Sequence, residues 1–429
     1  MKIHLRTLGC RLNEAELETW AQDFQKAGHK ITRQHNEANL IVINSCAVTQ
    51  DAARKSRGLI RRIHRENPNA KLVVSGCYAT LNQDEATELM GVDLVISNQD
   101  KNLLVSKTLS ELNLDSMPAM STEPGEISLF SRGRQRAFVK VQDGCRYRCT
   151  FCIVTVARGE EQSRPVQVVI EEINKLSEQS IQEIILTGVH LGGYGSEINS
   201  YLTKLLQTIL AETDIPRIRL GSLEPWDLPQ NFFQLFENTR LMPHLHLPLQ
   251  SGSDAVLRRM ARRCKTTEFS TIVQQAREQI PNFNVTTDII VGFPGETEQE
   301  WQESYDFIEQ TSFGHIHIFT YSPRQGTKAA TLPNPVINKE KKLRSQQLHQ
   351  LAKTMKSDFQ QRNLGQNFSV LWEAQTELLA NDQIKVFGYT PNYLRVATLI
   401  PANRSLENRI IPAKPVAIFA DHLIADIQE

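Results

Sequence analysis

Six of the seven cysteines in this 429-residue chain fall into two groups of three, and their spacing suits metal chemistry. The middle group lies within the run GCRYRCTFC and comprises Cys145, Cys149 and Cys152. The other group is spread over the first third of the chain and comprises Cys10, Cys46 and Cys77. Two trios of thiolates predict two 4Fe-4S clusters, each held by three cysteines.

The C-x-x-x-C-x-x-C spacing of the middle group holds three corners of a cubane cluster and leaves one iron without a protein ligand. An open iron can chelate the amino and carboxylate groups of S-adenosylmethionine, and one electron from the cluster can then release an adenosyl radical. Cys145, Cys149 and Cys152 are therefore the candidate catalytic residues. A structural zinc site is the alternative, but it needs four ligands, and the only further cysteine is Cys264.

Each cysteine of the first group closes a strand-like apolar run, in KIHLRTLGC, NLIVINSC and KLVVSGC. Helical patterns follow the first two runs, and such strand-helix alternation builds a parallel sheet whose strand ends meet at one edge. Three thiols would then converge where open α/β sheets place their ligands. Three unrelated core cysteines are the alternative, since cysteine is common in protein interiors.

The composition favours a cytoplasmic enzyme. Acidic and basic residues are equal in number, 48 of each. No apolar run approaches the roughly 20 residues of a membrane span, and the beginning of the chain does not resemble a signal peptide, so we expect no membrane partner. An odd number of cysteines in such a chain fits metal thiolates better than disulfides.

Changes of pattern predict a mixed α/β protein with several domains. A doubly wound parallel sheet is expected over 1–112 and a linker over 113–130. Six strand-like runs separated by amphipathic stretches over 131–361 predict a partial (β/α)6 barrel with its site at the strand C-termini. Short alternating strands over 364–429 predict a small antiparallel β-barrel.

The chain resembles the radical S-adenosylmethionine methylthiotransferases along nearly its whole length. The resemblance rests on the strand-end cysteines, on GCRYRCTFC followed by ARGEEQSRP, and on the phrases LTGVHLGGYG, HLPLQSGSDAVLRRM and TTDIIVGFPGET. The last segment resembles a TRAM domain, which such enzymes use to hold RNA. The opening TLGCRLNEAELE most resembles members that modify N6-threonylcarbamoyladenosine beside the tRNA anticodon.

This resemblance implies that the C2 hydrogen of the adenine is replaced by a methylthio group, with two molecules of S-adenosylmethionine consumed. The cluster on Cys10, Cys46 and Cys77 would carry the transferred sulfur. Expected partners are the tRNA anticodon loop, an electron donor such as flavodoxin or ferredoxin, and a sulfur source. Isopentenyladenosine in tRNA and a ribosomal protein aspartate are alternative substrates. The alternative of another class is a non-catalytic iron-sulfur or electron-transfer protein.

Further cofactor contacts follow from the barrel pattern of the same superfamily. They are expected just before the last cluster cysteine and at the ends of the second to fifth barrel strands. The residues at these positions are Phe151, Gly188, Val189, Glu224, Gln250, Val291 and Gly292. An ordinary turn or capping role is the alternative for each.

Basic residues cluster in two places that could contact RNA phosphates. The helical run after Cys46 has six basic residues against Asp51, and a second group surrounds the phrase LRRMARRC. The candidates for RNA binding are Arg54, Arg57, Arg61, Arg258 and Arg262. From Leu364 onward, five basic residues face seven acidic ones, so this segment lacks a basic excess. Its aromatic residues Phe387, Tyr389 and Tyr393 could stack on bases or form its core.

Overall fold

A computed structural model describes residues 1–112, 114, 135–379 and 382–428. The linker predicted over 113–130 therefore lies, except for Leu114, outside the described residues. The described chain divides into two compact units. The first comprises 1–112 and Leu114 with Asp143–Arg148 and Cys152–Glu161, and the second comprises 135–142, Cys149–Phe151 and the described residues from Gln162 onward. The cysteine loop thus contributes residues to both units.

The first unit contains a five-stranded parallel sheet in the order β2-β1-β3-β4-β5. Its strands are β1 (Lys2–Thr7), β2 (Lys30–Ile31), β3 (Leu40–Ser45), β4 (Lys71–Gly76) and β5 (Leu94–Val95). Its helices are α1 (Arg11–Lys26), α2 (Gln50–Glu66), α3 (Cys77–Leu81), α4 (Gln83–Thr87), α5 (Leu104–Glu111) and α6 (Val154–Arg158). All six residues of β3 are buried, as expected for a central strand covered on both faces.

Alternate strand residues face two separate apolar layers, which confirms the doubly wound sheet. Leu40 and Val42 pack with residues of α1 and α5, whereas Ile41 and Ile43 pack with residues of α2 and α3. The amphipathic pattern of α2 follows from this arrangement, because the helix buries Leu59, Ile60 and Ile63 and exposes all its arginines except the partly buried Arg57.

The second unit contains six parallel strands that form the predicted partial barrel. They are β6 (Arg136–Lys140), β9 (Glu183–Thr187), β10 (Arg217–Leu220), β11 (His244–His246), β12 (Asn284–Val291) and β13 (His315–Thr320). Two three-stranded sheets, β10-β9-β6 and β11-β12-β13, are joined by parallel bridges such as Ser222 with His246. Short strands β7 (Gln142–Asp143) and β8 (Gln162–Ser163) lie between β6 and β9 in the chain.

Helices follow the barrel strands in the expected alternation. They are α7 (Val166–Glu178), α8 (Leu202–Glu212), α9 (Asp254–Arg259), α10 (Thr266–Gln279), α11 (Glu298–Thr311) and α12 (Asn338–Arg362). The start of α11 shows why such helices begin where they do. The side chain of Thr297 accepts a hydrogen bond from the backbone of Glu300, whose carboxylate accepts one from the backbone of Thr297. No described helix is both long and apolar enough to cross a membrane.

The C-terminal segment forms a closed five-stranded barrel in the order β14-β15-β16-β18-β17. Its strands are β14 (Phe368–Leu378), β15 (Gln383–Tyr389), β16 (Arg395–Pro401), β17 (Ile410–Phe419) and β18 (His422–Ile427). Buried Trp372 packs with other apolar residues of this barrel. The barrel is antiparallel, as predicted, except that β16 and β18 pair in parallel and close it.

Candidate active site

The three cysteines of the first group emerge at one edge of the parallel sheet. The strands β1, β3 and β4 are neighbours, with Thr7 opposite Asn44 and Ser45 opposite Gly76. Cys46 directly follows β3 and Cys77 directly follows β4, while Cys10 is the residue before α1. The structure therefore places these thiols at the same end of consecutive strands.

Two glycines with positive φ allow these strand ends to approach closely. A Cβ atom on Gly9, whose φ is +110°, would lie 2.9 Å from both Cβ and Sγ of Cys46. A Cβ atom on Gly76, whose φ is +93°, would lie 2.3 Å from the carbonyl oxygen of Ser45. Only glycine fits such positions without strain. The glycines that precede Cys10 and Cys77 are therefore part of the site.

The electrostatics of the thiols shows that they share one environment. Loss of solvation raises the pKa of Cys10 and of Cys46. The charge of Cys77 raises both further, and that of Cys10 also raises the pKa of Cys46. Three interacting thiols at one sheet edge offer the ligand set that a 4Fe-4S cluster with one open iron needs.

Neutral polar side chains surround this trio, and sequence reasoning missed them. The Oδ1 atom of Asn13 lies 3.6 Å from Sγ of Cys10, and Nδ2 of Asn98 lies 3.8 Å from Sγ of Cys77. The backbone N–H of Cys46 donates to Oγ of Ser56 at 3.1 Å. Hydrogen bonds of this kind orient ligands and tune a cluster.

A buried set of four charged residues lies next to the trio. The guanidinium of Arg158 contacts Glu16 at 2.9 Å and Asp143 at 3.1 Å, and it donates to Asn13 at 2.7 Å. The ammonium of Lys101 lies 2.9 Å from Glu16 and also pairs with Asp143. Burial would lower the pKa of Arg158, but the charges of Glu16, Cys77, Asp143 and Cys10 raise it well above its ordinary value. Arg158 is thus a fixed cation beside the thiols.

The cysteine loop is anchored within the first unit on one side. The backbone N–H of Cys145 donates to the carbonyl of Gly159 at 3.1 Å, and Oγ1 of Thr155 donates to the carbonyl of Tyr147 at 3.0 Å. Gly144 has a φ of +68°, and a Cβ atom there would lie 1.9 Å from the carbonyl oxygen of Glu160. The glycine before Cys145 is therefore needed for the loop to close.

In the second unit, Cys149 lies beside a buried arginine. Nη1 of Arg262 is 3.8 Å from Sγ of Cys149, and Nη2 is 2.6 Å from a carboxylate oxygen of Glu224. The guanidinium also stacks 4.3 Å from the ring centre of Trp226. Burial raises the pKa of Cys149, and the charge of Arg262 opposes this rise. Glu224, predicted to contact the cofactor, holds this arginine.

The other predicted cofactor contacts lie where barrel strands end. Phe151 packs against a small apolar cluster and lies 6.5 Å from Phe293, ring centre to ring centre. Gly188 and Val189 follow β9, and a Cβ atom on Gly188 would lie 2.9 Å from Oε1 of Gln142. The side chain of Gln142 accepts a hydrogen bond from the backbone of His190.

Gln250, Val291 and Gly292 occupy the next two strand ends. Gln250 has a φ of +78°, unusual for a residue with a side chain, and its backbone bridges β12 through Asp288 and Ile290. Such strain is typical of functional positions. Val291 ends β12 and is buried, and the N–H of Gly292 donates to Glu296 at 2.9 Å. The roles of all these residues toward a cofactor stay predictions.

The arginines predicted to bind RNA differ in exposure. Arg54 and Arg61 are exposed on α2, and Arg258 is exposed on α9. Arg57 is partly buried and lies 3.5 Å from Glu85. Arg262 is buried beside Cys149 and paired with Glu224, which favours a role at the cluster site over RNA binding.

The three aromatic residues predicted to stack on bases, Phe387, Tyr389 and Tyr393, are engaged in packing contacts. Phe387 is buried. Tyr389 and Tyr393 stack on each other at 5.1 Å and face arginines of the larger barrel, with Arg136 4.2 Å from the Tyr389 ring and Arg219 4.4 Å from the Tyr393 ring. These tyrosines join the two barrels of the second unit, so the structure favours packing over base stacking.

Comparisons with known proteins agree with this geometry. Residues 2–97 match the uncharacterized protein family UPF0004, and residues 139–308 match the radical SAM superfamily. A solved structure of the radical S-adenosylmethionine methyltransferase TsrM from Kitasatospora setae, with cobalamin and a [4Fe-4S] cluster bound, has a TM-score of 0.58. It covers 77% of each chain at 14% identity, which shows a shared fold.

Similar sequences cover most of the chain. The threonylcarbamoyladenosine tRNA methylthiotransferase MtaB of Thermotoga maritima is 38% identical over 86% of each chain. The protein of the same name from Bacillus subtilis is 34% identical over 92% of this chain and 89% of its own. The tRNA-2-methylthio-N(6)-dimethylallyladenosine synthase of Bacillus pumilus is 33% identical over 91% of this chain and 79% of its own. With cysteine trios at both expected places, the chain belongs to the radical SAM tRNA methylthiotransferase family.

Proposed function

We propose that this protein converts N6-threonylcarbamoyladenosine in tRNA to its 2-methylthio derivative. The observation that carries the proposal is the second cysteine trio, which the sheet gathers at the ends of β1, β3 and β4. A radical enzyme that only cleaves S-adenosylmethionine needs one cluster, whereas insertion of sulfur needs a place to hold it. Three relatives named for this activity share 33–38% identity with most of the chain.

We assign Cys145, Cys149 and Cys152 to the cluster that binds S-adenosylmethionine, and Cys10, Cys46 and Cys77 to the second cluster. When bound, these groups supply one-electron chemistry, the transferred sulfur and the methyl group. The donors present fit them, because each trio offers three thiols and each has a glycine that lets the backbone approach.

The protein prepares the thiols by placing cations beside them. Loss of solvation raises the pKa of the Cys149 and Cys10 thiols and so disfavours their thiolate forms. The charge of Arg262 opposes this rise in the pKa of Cys149, and the charge of Arg158 opposes it for Cys10. Metal ligation requires deprotonated cysteine, so both arginines favour cluster binding.

Phe151 and its apolar neighbours form an apolar surface beside the cysteine loop. Its ring packs with the buried residues Val256, Met260 and Phe293, which gives this side of the site an apolar lining. The backbone groups at Gly188 and Gly292 lie at strand ends, where a bound cofactor can meet N–H and C=O groups. We assign them to S-adenosylmethionine.

The decisive experiment is anaerobic reconstitution with iron and sulfide, followed by reaction with dithionite, S-adenosylmethionine and tRNA that carries threonylcarbamoyladenosine. Mass spectrometry of the digested nucleosides should show a methylthio increment on that nucleoside. A tRNA with isopentenyladenosine is the matched control, because a relative 33% identical to this chain is named for dimethylallyladenosine. A methylthio increment on the control tRNA alone would indicate isopentenyladenosine as the substrate instead.

Two cysteine variants separate the roles of the trios. Cys149→Ala should abolish cleavage of S-adenosylmethionine to 5′-deoxyadenosine. Cys46→Ala should retain cleavage but stop methylthio transfer. Equal loss of cleavage in both variants, with the fold intact by circular dichroism, would contradict the assignment. If wild-type protein shows no cleavage at all, a non-catalytic cluster protein becomes the better description.

The same proposal includes an electron donor, a sulfur source and a cytoplasmic location. The cluster on the middle trio must be reduced before each cleavage, for which a flavodoxin or ferredoxin is suited. The sulfur that leaves with the product must be replaced. Because tRNA is the substrate, we expect the enzyme where tRNA is processed. If flavodoxin with its reductase cannot replace dithionite in the assay, another donor is required.

A further inference from the structure

Two histidines and one aspartate converge on one face of the sheet β11-β12-β13. The alternate residues Leu245 and Ile316 belong to the apolar core on the other face. Asp288 and His317 are direct partners across β12 and β13, and His246 lies on β11 next to β12. One ligand atom from each of His246, Asp288 and His317 lies within 4.8 Å of the other two.

The geometry around His246 is that of an oriented ligand. Its Nε2 is 3.2 Å from Oδ1 of Asp288, and its Nδ1 is 3.0 Å from Oγ1 of Thr286. Because a carboxylate oxygen only accepts, Nε2 donates its proton to Asp288 when no metal is bound. A metal ion on Nε2 would displace this proton, and Nδ1–H would then donate to Oγ1 of Thr286, which is how metal-binding histidines are usually held. Thr286 thus acts as a positioning residue.

A further imidazole and an ammonium group lie near the three donors. His315 lies 4.7 Å from His317, ring centre to ring centre, and Lys356 also faces it. Asp288 is the only anion among these groups, and its side chain is 24% exposed. A metal ion therefore has a route from solvent.

We propose that His246, Asp288 and His317 bind a divalent first-row transition-metal ion, at a site that uses none of the cluster cysteines. Two imidazoles and one carboxylate are a donor set for zinc or iron and leave at least one coordination position open. The site goes beyond the proposed function, because a methylthiotransferase needs only the two clusters. The alternative is a direct ion pair between His246 and Asp288 with no metal.

The test uses the full chain with both clusters reconstituted, with Zn²⁺ as the probe. After equilibration with Zn²⁺ and passage over a chelating resin, the wild-type protein should keep one zinc per chain by mass spectrometry. X-ray absorption at the zinc edge should show nitrogen and oxygen donors without sulfur. His317→Ala should lose the zinc and keep the iron. His349→Ala, which removes an exposed histidine of α12, is the matched control and should keep both.

Any of three results would overturn the proposal: His317→Ala retains the zinc, the absorption spectrum shows sulfur donors, or the wild-type protein retains no zinc. If His317→Ala does not fold, Asp288→Asn keeps the volume of the side chain and removes its charge. Loss of zinc from that variant with iron content and circular dichroism unchanged supports the site, and retention of zinc overturns it. Methylthio transfer is not needed for any of these readouts, so they are independent of the proposed function.

Discussion

Replacing Arg158 by methionine should loosen α1 and the sheet edge that carries the first cysteine trio. The Arg158 side chain is 2% exposed and contacts two carboxylates, those of Glu16 and Asp143. Without it, these two buried anions share a single cation, Lys101. The substitution therefore leaves one negative charge uncompensated inside the first unit.

The size of the effect follows from these contacts. Removing one partner of a buried ion pair costs about 3–5 kcal/mol, because the other partner stays buried and unpaired. Since Lys101 still lies 2.9 Å from Glu16, we expect the lower end, about 3 kcal/mol. A factor of ten corresponds to about 1.4 kcal/mol, so local opening should become about a hundredfold more frequent.

Hydrogen exchange followed by mass spectrometry measures this opening directly. Peptides from Arg11–Lys26 should exchange about a hundredfold faster in Arg158→Met. The variant should also bind less iron after reconstitution, since Arg158 favours the thiolate forms of Cys10 and Cys46. Arg61→Met removes an exposed arginine of the same unit and should match the wild type. Exchange within threefold of the wild type in Arg158→Met would refute the reasoning.

Two further substitutions test buried charges of the second unit. Glu183→Gln should lower the unfolding free energy by about 3–5 kcal/mol, because the fully buried carboxylate contacts Arg219 at 3.0 Å and Arg136 at 3.4 Å. Burial would raise the pKa of Glu183, but these arginines bring it below its ordinary value. The carboxylate therefore stabilises the folded protein fully above about pH 4.3, and this stabilisation is lost as the pH falls through the folded-state pKa. Urea midpoints of wild type and variant should therefore converge in acid. Arg262→Gln should lower the midpoint potential of the middle cluster, measured by redox titration with electron paramagnetic resonance, because a positive charge beside Cys149 is lost.

Each of these two predictions has a control in the same region. Glu178→Gln alters an exposed carboxylate of α7 and should leave the urea midpoint unchanged at every pH. Arg263→Gln alters the exposed neighbour of Arg262 and should not move the potential. A Glu183 variant whose midpoint differs from the wild type by the same amount at pH 3 and pH 7 would contradict the sign argued from its arginines.

The convergence of Cys10, Cys46 and Cys77 could be predicted because strand patterns are visible in local sequence and parallel strands end at the same edge of a sheet. Each apolar run ended at its thiol, and parallel neighbours bring such ends together. The partial barrel followed from the same alternation. The parallel closure of β16 on β18 could not be predicted, since register between distant strands depends on packing that leaves little trace in either strand alone.

The charged set around Arg158 could not be predicted from the sequence, because its members are far apart in the chain. Glu16 and Lys101 lie in ordinary amphipathic segments, and only the tertiary fold brings them together. A weak signal was available, since Asp143 precedes the cysteine loop closely and Arg158 follows it closely. Tyr389 is a similar case, because an aromatic side chain predicts stacking on a base and packing on an arginine equally well.

A common design emerges from the two cysteine trios. Arg262 lies beside Cys149, and the charge of Arg158 lowers the pKa of Cys10. Both guanidiniums are buried. An unpaired buried arginine would oppose folding before any iron arrives, but each is paired with a carboxylate, Glu224 in one case and Glu16 in the other. This pairing offsets the cost of burying each guanidinium and keeps a cation beside Cys149 and near Cys10. Cluster assembly then adds negative charge next to a cation that is already in place, so little reorganisation is needed.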